Sequence, residues 1–244
     1  MRIDGVRRVA VAVAALGTFL PVLAACGTPG GGDGEREPAG RAGQSRPGGQ
    51  DPTRIPDVGD RLQRRIPADS RQVVAVYGNG EDSADSTVVL YTRRGNTWRV
   101  AGSWPAHNGK RGWTTDHRSG DRRSPVGVFT LTDAGGVLED PGARLPYTRD
   151  PSFAAPRWWA ESHWHDFDYV IAIDYNRVRG TPPNDPRRPE GEVKGGSIWL
   201  HMDHGSGTSG CVGMAKSDME FLLRTLDPDR HPVVVMGDRA HLEA

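Results

Sequence analysis

Two side chains near the C-terminus have the types and the spacing for nucleophilic chemistry. His201 closes the apolar run GSIWLH, and Cys211 follows ten positions later among glycines. A cysteine thiolate is a nucleophile, and a neighbouring imidazole can take up the thiol proton. Gly210 would let the chain curl back and direct backbone N–H groups at one point, as an oxyanion hole requires. The pair therefore predicts a nucleophilic cysteine with a histidine base.

Two other interpretations of this region stay open. One is a zinc site, whose candidate ligands are His201, Asp203, His204 and Cys211. On a strand, however, His204 would point away from His201 and Asp203, which spoils a three-ligand set. The other is a structural turn in which the cysteine packs as a small apolar side chain. The serine and glycines around Cys211 do not resemble core residues, which weakens this second alternative.

Short runs of β-branched and aromatic residues from Gln72 onward must supply the scaffold. They predict strands, and RGN at 94–96 predicts a tight hairpin between two of them. Alternation in TWRVAGSW would place Trp98, Val100 and Trp104 on one face. The predicted strands are QVVAVYG, STVVLYT, TWRVAGSW, PVGVFTL, DYVIAIDYN, GSIWLH and HPVVVMG. The Pro-rich stretch GTPPNDPRRPEG between two strands is a long loop, and loops of that length are often functional.

One helix is predicted directly after the cysteine, in KSDMEFLLRTLDP. Ser217 and Glu220 have the spacing of a capping box, and Pro228 would end the helix. Its apolar stripe consists of Met219, Leu222, Leu223 and Leu226. Many short strands and one helix predict a mainly β fold with minor α, as a single mixed β-sandwich or barrel domain.

The first 25 residues have the layout of a secretion signal. Arginines precede an apolar stretch, and the small residues of LAAC lead to Cys26. A cysteine at the cleavage point resembles the lipobox of bacterial lipoproteins, whose thiol is diacylated after export. An ordinary signal peptide and a retained anchor helix are the alternatives, although the apolar run is short for a membrane span. With Cys26 lipidated, Cys211 is the lone thiol and no disulfide can form.

Composition divides the rest of the chain. Residues 27–52 are rich in Gly, Pro and charge and cannot form a core. We therefore expect a lipidated cysteine and flexible tether over 26–70, a catalytic domain over 71–238 and a C-terminal tail over 239–244. The 31 basic and 31 acidic residues balance, so nothing indicates nucleic-acid binding.

The His and Cys motifs resemble the YkuD-type L,D-transpeptidase family, in the branch whose strand ends in His and is followed by Thr-x-Gly-Cys-Val. Here these motifs are SIWLH and TSGCVGM, and the resemblance runs from about residue 72 to 237. AHNGKRGWTTDHRSGDRRSPVGVFTL, LPYTRD, DYVIAIDYN and the helix are also similar. The chain departs from the commoner branch at Ser209, where that branch has histidine, and at Gly213, where it has Arg or Asn. Its spacing from His to Cys is also shorter.

The resemblance implies a peptidoglycan enzyme that needs no cofactor and no metal. Cys211 would attack the bond between the diamino acid and the D-alanine of a stem peptide, with His201 as general base and acid. The backbone N–H groups of Gly210 and Cys211 would stabilise the oxyanion. A second stem's amine would then resolve the thioester, giving a third-to-third cross-link. The group that orients His201 is either a backbone carbonyl or Asp203. The predicted substrate contacts are Thr208, Ser209, Arg122 and Arg123, although a solvated charge pair is the ordinary role of two adjacent loop arginines.

An L,D-carboxypeptidase with the same site and a non-catalytic wall-binding lipoprotein are the alternative functions. The expected partners are stem peptides and, through the lipid on Cys26, the extracytoplasmic face of the bacterial cell membrane; we expect a monomer. Trp158 and Trp159 could contact sugar or peptide, although core packing is their ordinary role. His163 and His165 are expected at the surface or in an aromatic cluster.

Overall fold

A mixed sheet of ten strands is the framework of residues 51–244, the part of the chain that the computed structural model describes. The strands are β1 Gln72–Gly78, β2 Asp85–Arg94, β3 Thr97–His107, β4 Trp113–Thr114, β5 Ser124–Pro125, β6 Gly127–Thr130, β7 Ala134–Gly136, β8 Tyr147–Arg149, β9 Val170–Ala172, β10 Trp199–Met202, β11 Val212–Met214 and β12 Val233–Asp238. The helices are α1 Asp60–Gln63, α2 Lys216–Thr225 and α3 Arg239–Glu243, with 3-10 turns at Pro151–Phe153, Glu161–His163, Glu192–Lys194 and Pro228–Arg230.

The order of the strands places β10 and β11 inside the sheet. The order is β6-β12-β1-β2-β3-β11-β10-β9-β7-β8, while β4 and β5 form a separate pair. β1 to β3 are a meander of antiparallel strands, and β3 then pairs with β11. β10 is parallel to β11 and antiparallel to β9, so it has a strand on each side. The mainly β prediction with few helices is confirmed.

Apolar layers cover both faces of the sheet at β1. On one face Val74 and Val76 belong to the same core cluster as the apolar stripe of α2. On the other face Val73 and Ala75 share a cluster with side chains of α1, α3 and β12. Because both faces are buried, this strand is a continuous apolar run and not an alternation of apolar and polar residues.

The folded domain begins earlier and ends later than the predicted limits of 71 and 238. Ile55 and Val58 are buried in the second core cluster, so the segment before residue 71 is not all tether. The segment predicted as a tail forms α3, and its Leu242 side chain is buried. The carbonyl of Leu242 accepts a hydrogen bond from Gly59 N–H at 2.8 Å. Both segments are too short and polar to show a pattern in the sequence. The first nevertheless adds Ile55, Val58 and Leu62 to a core layer, and the second adds Leu242. The predicted signal peptide and Cys26 lie outside the described residues.

A β-bulge overturns the prediction that Trp98, Val100 and Trp104 share a face. In the pairing of β2 with β3, Leu90 is opposite Gly102 but Tyr91 is opposite Val100, so Ala101 is an extra residue. One extra residue reverses the side to which the following side chains point. Trp98 therefore packs in the second core cluster and Trp104 packs against the first. Val100 lies on the same side of the bulge as Trp98 and is exposed.

The helix after the cysteine is confirmed, but the predicted capping box is wrong. α2 begins at Lys216 with Ala215 as its N-cap and no side-chain cap. Ser217 is thus already helical, and its hydroxyl bonds to Asp218 instead. Glu220 forms an ion pair with Arg224. The predicted stripe is buried as expected, in Met219, Leu222, Leu223 and Leu226.

The remaining predictions of secondary structure are confirmed in part. The RGN hairpin joins β2 to β3 with Gly95 at a φ of 59°, a conformation that favours glycine. PVGVFTL divides between β5 of the small pair and β6 of the large sheet. β11 was missed, since three residues that include a glycine carry little strand signal. Among residues 51–244, the helices are too short or too polar to cross a bilayer.

Candidate active site

The parallel strands β10 and β11 bring the two predicted catalytic residues together. His201 lies in β10 opposite Gly213 of β11. Cys211 comes directly before β11, so the connection through residues 203–211 folds back over the end of β10. His201 and Cys211 line the same cavity of about 100 Å³.

A backbone carbonyl orients the imidazole of His201. Nδ1 lies 2.7 Å from the carbonyl oxygen of Met202, and since a carbonyl only accepts, Nδ1 carries the proton. Nε2 is then the nitrogen that can accept a proton. The other predicted orienting group, Asp203, bonds to His107 Nδ1 at 2.9 Å instead. Burial lowers the pKa of His201, so the ring is neutral near pH 7.

The thiol of Cys211 is neutral in the resting protein. Burial raises the pKa of the thiol to about 12, although a hydrogen bond from Trp199 N–H opposes the shift. Sγ lies 3.4 Å from Trp199 N and 3.4 Å from the carbonyl oxygen of Ser197, to which the thiol donates. Among the described residues Cys211 and His201 make no hydrogen bond to each other. A nucleophilic role for Cys211 would therefore require removal of the thiol proton.

Cys211 and Ser209 lie between two cavities. The smaller one is also lined by His201, and the larger one has a volume of about 290 Å³. Arg188, His117 and Glu192 are among the residues that line the larger cavity. Cys211 and Ser209 therefore belong to the walls of both cavities.

The turn that carries Cys211 is held by two buried hydroxyl groups. Thr208 Oγ1 accepts from Gly210 N–H at 3.1 Å and donates to the carbonyl of Cys211 at 2.7 Å. Ser124 Oγ donates to the carbonyl of Gly210 at 2.8 Å. Thr208 is 4% exposed and its hydroxyl is fully used, so the predicted substrate contact of Thr208 is corrected to a positioning role. Sequence reasoning missed Ser124, which no local signal connects to the cysteine.

Gly210 is required by its backbone, but its N–H is already bonded. Its φ is 144°, and a Cβ at this position would lie 3.1 Å from the carbonyl oxygen of Arg123. The N–H that the sequence assigned to the oxyanion donates to Thr208, so this assignment is not met in the structure. Within residues 51–244, the N–H of Cys211 has no hydrogen-bond acceptor and remains available for that role.

Neither predicted arginine lines a cavity. Arg123 donates to Asp82 at 2.6 Å and to the carbonyl of Trp113 at 3.0 Å, which commits its guanidinium to the scaffold. Arg122 is exposed, with a φ of 61°, and lies outside both cavities. Arg188 is the arginine that lines the larger cavity. Its Nη1 donates to the carbonyls of Asp185 and Arg187 and its Nη2 to Ser197 Oγ at 2.6 Å, which leaves Nε–H and one Nη2 proton without an acceptor among the described residues. Arg188 belongs to the Pro-rich loop GTPPNDPRRPEG. The length of this loop was the one feature of the sequence that indicated a functional role for it. Ser209 is exposed and lines both cavities, so it is placed to meet a ligand.

The predicted zinc ligands do not assemble. Asp203 bonds to His107, and His204 turns to Asp166. Among the described residues, the group with mutual spacing suited to a metal is His163, Asp166 and His204, in the wall of the smaller cavity. The sequence analysis expected His163 at the surface or in an aromatic cluster, and its ring does pack against Trp159 and His204. It did not mention Asp166.

The two tryptophans are both exposed, contrary to an ordinary core role. Trp158 is 84% exposed, and Trp159 is 42% exposed and lines the smaller cavity. Trp159 also packs edge-on against Phe167, whose ring contacts His201. An aromatic surface thus leads from solvent to the imidazole.

Comparison with known proteins gives one match at the level of a family. Residues 81–235 match the family model YkuD, described as the L,D-transpeptidase catalytic domain. No curated protein matches the chain. A solved structure of Bdellovibrio bacteriovorus Bd1075 is 15% identical with a TM-score of 0.40 and covers 75% of this chain and 52% of its own. The helical cell shape determining protein Pgp2 from Campylobacter jejuni is 17% identical with a TM-score of 0.39, covering 68% and 48%. The chain thus spans about half the length of these two proteins, and the family assignment rests on the family model.

Proposed function

The chain belongs to the YkuD family of L,D-transpeptidase catalytic domains, and we propose that it is a peptidoglycan L,D-transpeptidase with Cys211 as its nucleophile. One observation carries the proposal. The bond from His201 Nδ1 to the Met202 carbonyl leaves Nε2 as the proton acceptor, in a cavity shared with the cysteine. A neutral imidazole of fixed tautomer is the form that a general base requires.

In the acylation step, His201 takes the thiol proton and the sulfur attacks the carbonyl of the diamino acid. Rotation of the Cys211 side chain would carry Sγ from the Ser197 carbonyl towards the imidazole. The carbon–sulfur bond forms as the carbonyl oxygen becomes negative, and the N–H of Cys211 stabilises this charge. The amide bond then breaks, and D-alanine leaves with the proton held by His201. A thioester remains on Cys211.

In the second step, the side-chain amine of another stem attacks the thioester. His201 accepts a proton from the amine and returns one to the sulfur as the carbon–sulfur bond breaks. The thioester conserves the energy of the first amide, so no other energy source is needed. The two cavities lined by Cys211 support this scheme, since donor and acceptor need separate approaches to one atom.

The donor is proposed to occupy the larger cavity. The departing D-alanine carries a free carboxylate, and Arg188 is the positive side chain in that cavity. Arginine binds carboxylates through two parallel hydrogen bonds, which gives orientation as well as attraction. The smaller cavity, bordered by Trp159 and His201, is left to the acceptor.

Product analysis after incubation with stem tetrapeptide tests the chemistry. Transfer gives peptide dimers, and an acid-quenched sample of the protein carries the mass of one tripeptidyl group. Cys211→Ala should give neither product nor adduct. Tripeptide without dimers would replace the proposal by its hydrolytic alternative, an L,D-carboxypeptidase. An adduct that persists in Cys211→Ala, or no adduct on the unaltered protein, would remove the cysteine mechanism.

Lipid anchoring through Cys26 is also proposed, from the LAAC sequence at the end of an apolar segment. It would hold the enzyme at the extracytoplasmic face of the bacterial membrane, next to its polymer. Replacement Cys26→Ser should move the protein from the membrane fraction to the soluble fraction and abolish labelling with a fatty-acid analogue. Unchanged membrane association of the variant would contradict the lipid anchor.

A further inference from the structure

A cluster of two histidines and one carboxylate borders the smaller cavity. His163 Nδ1 lies 2.9 Å from Asp166 Oδ2, and His204 Nδ1 lies 3.0 Å from the same oxygen. The two imidazole rings are adjacent, with centroids 4.0 Å apart. Ligand atoms around a tetrahedral zinc ion are about 3.3 Å apart, so small side-chain rotations would bring these three atoms to that spacing.

The buried position of His204 in this cluster is not explained by hydrogen bonds. The side chain of His204 is 4% exposed, and both of its ring nitrogens lack a hydrogen-bond partner. His163 forms a hydrogen bond to Asp166. The contact from His204 Nδ1 to the same carboxylate is similarly short, but its geometry is not that of a hydrogen bond. A buried polar atom without a partner costs about 1–3 kcal/mol. A bound cation would satisfy the lone pair that faces Asp166.

The donor set identifies the kind of cation. Two imidazole nitrogens and one carboxylate oxygen suit a borderline metal ion such as Zn²⁺ and give three protein ligands with one position open. Calcium and magnesium prefer sets made of oxygen ligands. We propose that His163, Asp166 and His204 bind one Zn²⁺ ion in the wall of the cavity that contains His201 and Cys211. This site shares only His204 with the zinc ligands considered from the sequence, and it departs from the expectation that no metal binds.

The position of the cluster indicates what the ion does. His163 and Asp166 belong to the segment before β9, and His204 follows β10. The backbone already joins these segments, since Met202 N–H donates to the carbonyl of Asp166 at 2.9 Å. A metal ion would add a second link beside the carbonyl that orients His201, and would fix that wall of the cavity.

Zinc binding by the purified chain tests the proposal without reference to activity. After removal of metal with a chelator, titration calorimetry with ZnCl₂ should show one equivalent bound, and elemental analysis should confirm it. His204→Ala and Asp166→Asn should each weaken binding at least tenfold. Circular dichroism of each metal-free variant should match the metal-free parent, which separates lost binding from lost folding.

A neighbouring pair provides the matched control. His165 lies 2.9 Å from Asp168 with the same three-residue spacing, but it is 75% exposed and lies outside the metal-capable cluster. His165→Ala should bind zinc like the parent. Cys211→Ala should also bind normally, and cobalt bound to the parent should show no sulfur-to-metal charge-transfer absorption. The proposal would be overturned if the parent bound no stoichiometric zinc. It would also be overturned if His165→Ala lost as much zinc affinity as His204→Ala, or if Cys211→Ala lost zinc affinity. None of these results depends on whether the chain is a transpeptidase.

Discussion

At the scale of single residues, the state of His201 decides whether Cys211 can react. The thiol cannot ionise by itself near neutral pH, because burial raises its pKa to about 12. The imidazole is neutral because burial lowers its pKa, and the Met202 carbonyl determines which nitrogen is free. The pair is therefore a neutral thiol and a neutral base, and not a preformed ion pair.

This state predicts the pH dependence of acylation. His201 must be unprotonated to act as a base, and its pKa lies below the ordinary value of 6.5. Activity should therefore be lost as pH falls through that lowered pKa and should be fully present at pH 7. The pH profile of kcat/KM for the tetrapeptide donor measures this. An acid limb centred above pH 7 would mean a protonated imidazole at rest and would contradict the neutral pair.

The charge in the larger cavity gives a second prediction at this scale. Arg188→Ala should raise KM for a tetrapeptide donor about tenfold, since one charge-assisted contact is lost. A donor amidated at its C-terminus should respond much less to this substitution. Arg122→Ala is the control, because Arg122 is exposed and lines neither cavity. Equal effects of the two substitutions would remove Arg188 from substrate binding.

At the scale of elements, the turn between β10 and β11 determines where the sulfur lies. Two parallel neighbours are joined by only nine residues, 203–211, so the connection must fold tightly over the strand end. Hydroxyl groups from Thr208 and Ser124 bond to backbone atoms of Gly210 and Cys211. The position of the Cys211 sulfur thus depends on hydroxyl groups that are engaged in bonds to the backbone.

Thr208→Val tests this dependence. The substitution keeps the shape but leaves Gly210 N–H without its partner, and should lower the free energy of unfolding by about 1–3 kcal/mol. Displacement of the sulfur should lower kcat by about 100-fold with little change in KM. Thr208→Ser keeps the hydroxyl and should restore kcat. Denaturant unfolding and steady-state kinetics are the measurements, and a change confined to KM would restore Thr208 as a substrate contact.

At the scale of the whole molecule, the segment before β1 is part of the domain. Ile55, Val58 and Leu62 are buried on the sheet face that α3 also covers. Because this layer covers the second face of the sheet, β1 and β12 are buried on both faces. The N-terminal limit of the stable unit therefore lies well before residue 71.

Truncation measures the contribution of that layer. A chain of residues 71–244 should lose on the order of 5 kcal/mol of unfolding free energy, because three aliphatic side chains no longer cover the sheet. A chain of residues 47–244 should unfold at the same urea concentration as a chain of residues 27–244. If the chain of residues 71–244 were as stable as the chain of residues 47–244, the segment before β1 would be dispensable. The predicted domain start at residue 71 would then be correct.

The sequence by itself determined the local elements and the chemical types at the site. Periodicity within a few residues predicted the strands and the stripe of α2, and the motif around His201 and Cys211 indicated the family. Only the tertiary structure decided that the Met202 carbonyl orients His201, that Thr208 and Ser124 hold the turn, and that Arg188, instead of Arg122 or Arg123, lines the larger cavity. The physical reason differs between these contacts. Ser124 reaches Gly210 across 86 residues of chain, a distance over which no local pattern holds. Met202 and Thr208 are close in sequence to the groups that they bind, but these bonds depend on the backbone conformation at the end of β10 and in the following turn, which the pairing of β10 with β11 imposes.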